Sequence, residues 1–249
     1  MSDHLENRRV LVIGGTHGMG RATAELLSSR GAEVTVTGSG EENLRRAVSE
    51  TPKLQPLRLD LANDDDIDAL PALLGSRPFD AVLVFAGLAR LAPLAEVTRE
   101  DFDRQFSINV RGLLFALQHI APLIANGGAI VLTTVTPATA TPTMGVYLAS
   151  KAAVAELGRV LAAELLQRGI RVNLLAPGFI DTPTHGVAGL TEQERAEFHA
   201  IGDSVTPMGR HGSMNEIAAA AAFLAFDATF STGIELPVDG GLSSIDAPA

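Results

Sequence analysis

Short apolar, β-branched runs alternate with helix-patterned stretches along almost the whole chain. The runs lie at Val10–Ile13, Val34–Thr37, Leu54–Leu59, Ala81–Phe85, Ala129–Thr134, Ile170–Leu175 and Gly233–Val238. The helical patterns fall near residues 18–30, 41–50, 64–75, 101–125, 145–168 and 213–226. This alternation predicts an α/β fold, because strands covered on both faces by helices read as continuous apolar runs. We expect a doubly wound sheet of about seven parallel strands, with a ligand crevice at their carboxyl ends.

Composition favours one globular domain. The 249 residues are 46% hydrophobic and 19% charged, and no composition break divides residues 1–249. The chain has no long apolar run that predicts a membrane span, and its polar N-terminus does not resemble a signal peptide. The absence of cysteine fits a cytoplasmic protein, and the net charge of −10 argues against a nucleic-acid partner. The six histidines show no metal-ligand spacing such as H-E-x-x-H, so no metal site is predicted.

The only tyrosine, Tyr147, lies four residues before Lys151, one of only two lysines. On a helix these two side chains share a face. We expect the ammonium group to stabilise the phenolate and so to lower the pKa of the tyrosine from about 10. A tyrosine tuned in this way exchanges a proton with a carbonyl or alcohol oxygen. The alternative is a surface helix that carries an unrelated Tyr and Lys.

A glycine-rich loop joins the first predicted strand to the first predicted helix. Glycines allow a tight turn and a close approach to a pyrophosphate, and the helix N-terminus offers unpaired N–H groups. The alternative is an ordinary turn, but the strand–turn–helix context favours a dinucleotide site. The residues expected to contact the cofactor are Gly14, Thr16, His17, Gly18, Met19 and Gly20.

The end of the second strand bears on cofactor choice. Sites that prefer NAD usually carry Asp or Glu here, on the ribose 2′-hydroxyl. This chain has Gly38-Ser39-Gly40 instead, so no carboxylate repels a 2′-phosphate. Ser39 is a candidate donor to that phosphate, with His17 or Arg45 nearby in the sequence. We therefore expect NADP(H) to be favoured over NAD(H).

Further candidate residues follow the other predicted strands, at the edge where a ligand would bind. Asp60-Leu61 is placed to accept from an adenine amino group, although a turn or helix-cap aspartate explains it almost as well. Ala86 and Gly87 permit close backbone contact, Thr134 supplies a hydroxyl thirteen residues before Tyr147, and Thr182 is suited to a carboxamide or a phosphate. The remaining candidates after the sixth strand are Pro177, Gly178 and Ile180.

Asn109 and the segment at about residues 182–211 are the remaining candidate functional features. Asn109, inside a predicted helix, is expected to bend the helix and hold a water, unless it is only a tolerated polar residue. The segment at about residues 182–211 is a long excursion at the ligand edge, and we expect it to cover the substrate. An apolar pocket is expected from residues Leu88, Val135, Ala140, Met144, Phe179 and parts of Val187–Met208.

Taken in order, these motifs resemble the short-chain dehydrogenase/reductases, in their single-domain branch with a Rossmann-like fold. The likeness runs from Arg9 to Leu242 and ends on a Pro-Val-Asp-Gly-Gly motif at residues 237–241. It implies that Tyr147 is the general acid or base and that Lys151 holds the nicotinamide ribose. It also implies that Thr134 binds the substrate oxygen and that Asn109 holds a water in a proton relay to Lys151.

The resemblance further implies a homo-oligomer, a tetramer or a dimer, that pairs the helices carrying Asn109 and Tyr147. Three positions depart from the family pattern: Ile13 stands for Thr, Phe85 for Asn and Thr134 for Ser. Threonine offers the same hydroxyl as serine, with a methyl group that narrows the pocket. Phe85 cannot make the hydrogen bonds of the usual asparagine.

The leading hypothesis is an NADPH-dependent ketoreductase, or the reverse alcohol dehydrogenase, acting on a small-molecule carbonyl or alcohol. One alternative is an isomerase or lyase of the same fold that works without net redox change. Another is a non-catalytic cofactor-binding subunit. No fixed cationic residue stands out near the expected pocket, so an acyl-carrier or phosphorylated substrate receives no support.

Overall fold

The computed structural model describes residues 4–136, 141–182 and 191–245. Seven strands form one sheet in the order β3-β2-β1-β4-β5-β6-β9, and every neighbouring pair is parallel. The predicted fold class is thus confirmed. The strands of this sheet are β1 (Arg9–Ile13), β2 (Glu33–Gly38), β3 (Gln55–Arg58), β4 (Phe79–Val84), β5 (Ile124–Thr133), β6 (Arg171–Pro177) and β9 (Glu235–Val238).

Helices cover both faces of the sheet, as the apolar strands require. The helices are α1 (Gly18–Ser29), α2 (Glu41–Glu50), α3 (Asp64–Asp68), α4 (Leu70–Leu74), α5 (Arg99–Phe106), α6 (Leu113–Ile120), α7 (Gly145–Glu164), α8 (Glu192–Val205) and α9 (Met214–Ala222). Side chains alternate along β1, so that Val10 and Val12 pack under α1 and α9 while Leu11 and Ile13 pack under α6 and α7. The result is two apolar cores, one on each side of the sheet.

Two predicted helices are interrupted for identifiable reasons. The stretch predicted at 64–75 divides into α3 and α4 around Ala69, and a proline occupies the first turn of α4. The stretch predicted at 101–125 begins at Arg99, capped by Thr98, and passes through a π-helical segment, Ser107–Gly112. It ends at Ile120, so that β5 begins at Ile124 rather than near 129.

The segment predicted as an excursion, 182–211, contains structure that the hydrophobic pattern did not reveal. Helix α8 begins after a capping box, in which Thr191 and Glu194 bond each other's backbone. A small parallel sheet pairs β7 (Ile180–Asp181) with β8 (Gly212–Ser213). Of the residues named above, Ala140 and Val187 lie outside the described ranges. No helix in the described part of the chain is long and apolar enough to cross a membrane.

Candidate active site

Helix α7 places Tyr147 and Lys151 on one face at the carboxyl edge of the sheet. The Lys151 ammonium is buried and donates to the carbonyl oxygen of Thr133, at the end of β5, over 2.9 Å. Its Nζ lies 6.0 Å from the centroid of the Tyr147 ring. The two side chains predicted to share a helix face are therefore neighbours, and a backbone carbonyl fixes the lysine.

Burial dominates the electrostatics of this pair. It lowers the pKa of Lys151 to about 8 and raises the pKa of Tyr147 to about 12, because a low-dielectric surrounding disfavours either charged form. The shift at Tyr147 is opposite to the lowering expected from the sequence. The ammonium points to the Thr133 carbonyl, and desolvation of the phenol outweighs its effect. The phenol consequently keeps its proton, which suits a group that must donate one.

Asn109 ties two segments of the site together. Its Oδ1 accepts from the backbone N–H of Leu88 over 2.7 Å, and its Nδ2 donates to the Leu88 carbonyl over 2.9 Å. The same Nδ2 donates to Ser150 Oγ over 3.0 Å, and Ser150 in turn donates to the Tyr147 carbonyl over 2.7 Å. Asn109 lies in the π-helical segment, which confirms the expected distortion of its helix. Its amide therefore orients the turn of α7 that carries Tyr147.

Ser150 was not among the predicted site residues, although its sequence position offers a signal. It is fully buried on the inner face of α7, immediately before Lys151. A buried hydroxyl inside a helix needs a hydrogen-bond partner, and Asn109 provides one.

Gly87 leaves the space between Asn109 and Lys151 open. A Cβ atom at this position would lie 3.3 Å from Lys151 Nζ and 3.4 Å from Asn109 Oδ1. Ala86, beside it, is held by a hydrogen bond from its N–H to the Ile13 carbonyl over 3.1 Å. The backbone at residues 86–87, where close contact with a ligand was predicted, thus lies beside the Lys151 ammonium group.

The Thr134 hydroxyl is engaged away from the tyrosine. It donates to Glu235 Oε1 over 2.6 Å and lies 3.3 Å from the Leu175 carbonyl oxygen. A hydroxyl has one proton and two lone pairs, so in this arrangement Thr134 has an acceptor site left but no second proton to give. Sequence reasoning missed Glu235, because only the pairing of β6 with β9 brings it near β5.

The glycine-rich loop, residues 14–20, forms a tight cradle that packs closely against the neighbouring backbone. A Cβ at Gly14 would lie 2.5 Å from the Ala86 nitrogen, and one at Gly20 would lie 2.2 Å from the Gly14 carbonyl oxygen. Gly18 has a φ of +57°, and no atom of another segment lies within 4 Å of the position that a Cβ would take there. The first turn of α1 has no acidic residue, and its N-cap, His17, makes no side-chain capping bond. The N–H groups of this turn are thus left for an anion.

The end of β2 is also shaped for close contact. A Cβ at Gly38 would lie 2.7 Å from Thr16 Oγ1, and Thr16 Oγ1 lies 3.3 Å from His17 Nδ1. The pKa of His17 is lowered, first by loss of contact with water and then by the positive charge of Arg46. Arg46 is therefore the arginine whose charge lowers the pKa of His17, although the sequence singled out Arg45; within α2, Arg46 also bonds Asn43 and Arg45 bonds the Glu41 carbonyl.

Asp60 and Leu61 follow β3 at the same edge. The Asp60 carboxylate accepts from the backbone N–H of Ala62 over 2.9 Å, which is the turn role weighed as an alternative. The side chain of Leu61 belongs to the core, so only its backbone is placed for a ligand.

The loop after β6 supplies an unsatisfied polar atom. Thr182 Oγ1 is buried and has no hydrogen-bond partner among the described residues. Gly178 donates from its backbone to Val238, and a Cβ there would lie 2.7 Å from Asp239 Cα, which locks Pro177-Gly178 against β9. Ile180 anchors β7 in the core. An orphaned buried hydroxyl is costly unless a ligand satisfies it, so Thr182 fits a cofactor carboxamide or phosphate.

The two other departures have structural roles. Ile13 is a buried core residue, and its carbonyl accepts the N–H groups of both Phe85 and Ala86. Phe85 packs in the core beneath α1, with its Cβ 3.0 Å from the position of a Cβ at Gly20. Backbone hydrogen bonds therefore hold the strand edge where an asparagine side chain is absent.

A parallel doubly wound sheet, a glycine-rich turn at a helix N-terminus and a half-buried tyrosine beside a buried lysine together define a dinucleotide-dependent oxidoreductase. Comparison with known proteins agrees. A family model described as enoyl-(acyl carrier protein) reductase matches residues 14–243. The chain belongs to the short-chain dehydrogenase/reductases, and its homologues are dehydrogenases and reductases that act on alcohol or carbonyl substrates.

Relatives and solved structures align over nearly their whole length. A 2,5-dichloro-2,5-cyclohexadiene-1,4-diol dehydrogenase of Sphingobium indicum is 36% identical over 98% of this chain and 100% of its own. The human L-xylulose reductase is 35% identical over 95% of this chain and 97% of its own. A solved short-chain dehydrogenase/reductase family protein superposes with a TM-score of 0.86 at 33% identity, covering 97% of this chain and 100% of that chain.

Proposed function

We propose that this protein is an NADPH-dependent reductase of small ketones, with residues 1–249 acting as one catalytic domain. The observation that carries the proposal is the Tyr147 ring beside Lys151, whose ammonium donates to the Thr133 carbonyl. When bound, the reduced nicotinamide supplies a hydride to the carbonyl carbon. Tyr147 donates its proton to the carbonyl oxygen as charge develops there, and the product is a secondary alcohol.

The surrounding residues have supporting roles in this proposal. Lys151 holds the nicotinamide ribose and, as a cation, favours the phenolate that remains after proton donation. Asn109 positions the Tyr147 turn through Ser150 and lines the opening at Gly87 that leads to Lys151. Thr134 would bind the substrate oxygen once its hydroxyl proton turns away from Glu235.

The cradle and its neighbours would hold the cofactor. Loop residues 14–20 take the pyrophosphate, the backbone of Leu61 and the Asp60 carboxylate face the adenine, and Ala86-Gly87 abut the ribose. The edge formed by Pro177, Gly178, Ile180 and Thr182 takes the carboxamide. Ser39 and Arg46 support NADP(H) over NAD(H), because a hydroxyl and a guanidinium bind a 2′-phosphate where a carboxylate would repel it.

The substrate side of the site supports a small carbonyl compound. Leu88, Val135 and Met144 are half-buried apolar residues around the Tyr147 end of α7. The segment 182–211, with α8 as its described helix, would cover them. The chain's lack of cysteine keeps the cytoplasm as the proposed compartment.

Substitution of Tyr147 by Phe tests the proposal. We expect a carbonyl screen with NADPH, followed by loss of NADPH absorbance, to identify a ketone that the wild-type protein reduces. Tyr147→Phe should lower kcat for that ketone by about 10²–10⁴-fold, the usual contribution of a general acid. NADPH binding, followed by fluorescence titration, should stay within about twofold, because the phenol is not a phosphate or ribose ligand. Retention of most activity in Tyr147→Phe would disprove the assignment.

A further inference from the structure

Helix α8 and the segment before β8 bring together two imidazoles and a carboxylate. His199 and Asp203 lie one helical turn apart on α8, with His199 Nδ1 3.4 Å from Asp203 Oδ2. His211 is buried, and its Nδ1 lies 2.7 Å from Asp203 Oδ1. Each carboxylate oxygen therefore faces one imidazole. The two rings stack with centroids 3.9 Å apart, and one potential ligand atom from each residue lies within 4.8 Å of the others.

A glycine on α8, Gly202, leaves the space that this cluster occupies. A Cβ at Gly202 would lie 2.6 Å from His211 Cε1 and 2.8 Å from the Phe179 ring. Only glycine at this position of α8 lets His211 reach Asp203 from the neighbouring segment. Phe179 meets the His211 ring edge-on, with centroids 5.6 Å apart. The cluster is thus connected to the loop that runs from Gly178 to Thr182.

The donor set selects a class of ligand. Two imidazole nitrogens and one carboxylate oxygen suit Zn²⁺ and neighbouring transition-metal ions, whereas Mg²⁺ and Ca²⁺ prefer oxygen donors. Zinc bonds to such donors are about 2.0–2.2 Å long, so an ion must draw these atoms closer together. The His199 side chain is 37% exposed, so its ring has room to turn toward Asp203 and His211.

We propose that His199, Asp203 and His211 form a binding site for one divalent transition-metal ion, with Zn²⁺ as the reference ion. The ion replaces the proton that an imidazole shares with Asp203 and leaves at least one coordination position for water. Because His211 is on a different segment from the other two ligands, the ion cross-links α8 to the start of β8. The spacing of the histidines in the sequence predicted no metal site. It missed this one because His211 comes near His199 and Asp203 only in the folded chain.

Zinc titration of the untagged, chelator-treated full chain tests the site. We expect isothermal calorimetry to show one Zn²⁺ per chain with a Kd in the micromolar range or below, and Mg²⁺ to bind at least about tenfold more weakly. His199→Gln, at the more exposed ligand, and His211→Ala should each weaken Zn²⁺ binding at least about tenfold. The matched control is His119→Ala: His119 also lies near a carboxylate, 3.3 Å from Asp68, but this pair belongs to no three-donor cluster among the described residues.

Three results of these titrations would contradict the metal site. Equal zinc affinity in wild type and His199→Gln, loss of binding in His119→Ala, or no zinc binding at 100 times the protein concentration would each overturn the proposal. Co²⁺ offers a second readout, because three or four protein and water ligands produce visible d–d absorption. That absorption should appear in wild type and in His119→Ala, and should be lost in Asp203→Asn, which removes the charge and replaces one carboxylate oxygen by an amide NH2 group. Its persistence in Asp203→Asn would count against Asp203 as a ligand.

Discussion

At the scale of single residues, burial sets the two pKa values on which the proposed chemistry depends. Tyr147 is a neutral donor across the physiological range, whereas Lys151, with a pKa of about 8, changes charge within it. The lysine is a cation below that pKa and neutral above it. Only the cation stabilises the phenolate left after proton transfer. The lysine, rather than the tyrosine, therefore controls the pH dependence of reduction.

We expect kcat/KM for ketone reduction to fall as pH rises through about 8. At saturating NADPH this ratio reports the ionisations of the enzyme before the ketone binds, and the pKa of Lys151 lies below its ordinary value of 10.5. Initial rates between pH 6 and pH 10, at subsaturating ketone and saturating NADPH, check the prediction. A profile that stays flat to pH 10 would show that the lysine charge is not required.

The bond between Thr134 and Glu235 leads to a second residue-level prediction. Glu235 takes the only proton of the Thr134 hydroxyl, so the threonine cannot donate to a ketone until that bond breaks. Glu235→Ala should release the hydroxyl and raise kcat/KM for ketone reduction about fivefold, in line with one hydrogen bond of about 1 kcal/mol.

Glu156→Ala is the control for Glu235→Ala. Glu156 pairs with the same arginine, Arg159, over 3.0 Å, while Glu235 lies 3.8 Å from it. Glu156 makes no contact with Thr134, so its loss should leave activity unchanged. A fall in activity for Glu235→Ala alone would mean that the carboxylate positions Thr134 productively, and that the freed hydroxyl is not the better donor.

At the scale of elements, the start of α1 combines the glycine-rich loop with an uncapped helix end, which α2, α4, α6 and α7 also have. Side chains cap α3, α5, α8 and α9. Helix α1 has no such cap and no acidic residue in its first turn, and its N-terminus directly follows the glycine-rich loop. A helix end that is left without a protein partner is available to a phosphate. The sequence could have shown the start of α8 as well, because Thr191 and Glu194 have the spacing of a capping box.

Helix α2 supplies a test of cofactor preference. Arg46 is the arginine whose charge lowers the pKa of His17, and both Arg45 and Arg46 also bond within α2. Arg46→Glu should lower kcat/KM for NADPH about 10–100-fold, because a charge-assisted hydrogen bond is worth about 1.5–3 kcal/mol, and should change that for NADH by less than about threefold. Steady-state kinetics with both cofactors provides the measurement.

Arg45→Glu has the same charge change on the adjacent residue and is the matched control. It should leave the ratio of NADPH to NADH efficiency within about twofold of wild type, since a solvated charge farther from His17 is screened. If both variants lose NADPH efficiency equally, general electrostatics rather than a contact of Arg46 determines the preference.

At the scale of the whole molecule, the exposed apolar side chains include two sets that we propose as association surfaces. Phe102, Leu114, Phe115 and Val160 lie on α5, α6 and α7, and Phe223, Phe230 and Ile234 lie around the start of β9. Exposed apolar groups clustered in this way mark association surfaces. The first surface includes the helices of Asn109 and Tyr147, which supports the proposed homo-oligomer. A second surface is what a tetramer needs beyond a dimer.

Phe115→Glu should convert the oligomer to a smaller species, because association would bury an unpaired carboxylate. Size-exclusion chromatography with light scattering measures the mass. Leu73→Glu, at a comparably exposed leucine on α4, should leave the mass of wild type. A wild-type protein that is monomeric at micromolar concentration, or a Phe115→Glu variant with unchanged mass, contradicts the proposal.

The order of strands and helices, the cofactor loop and the Tyr147–Lys151 pair were all determined by the sequence alone. Each depends on local spacing: alternating apolar runs, glycines at a turn, and side chains four residues apart on a helix. The short or interrupted elements were less accessible. The break at Ala69 has a local cause in Pro71, whereas the early start of β5 depends on the pairing of Ile124 with Phe79 of β4.

Only the tertiary structure decided the direction in which the site is tuned. The sequence placed a cation beside a phenol and predicted a lowered tyrosine pKa, but burial of both groups reversed the shift at Tyr147. Strand pairing brought Glu235 to Thr134, packing placed Arg46 near His17, and Gly202 admitted His211 to Asp203. The physical reason is common to all four: desolvation and contacts between distant residues exist only once the chain is folded.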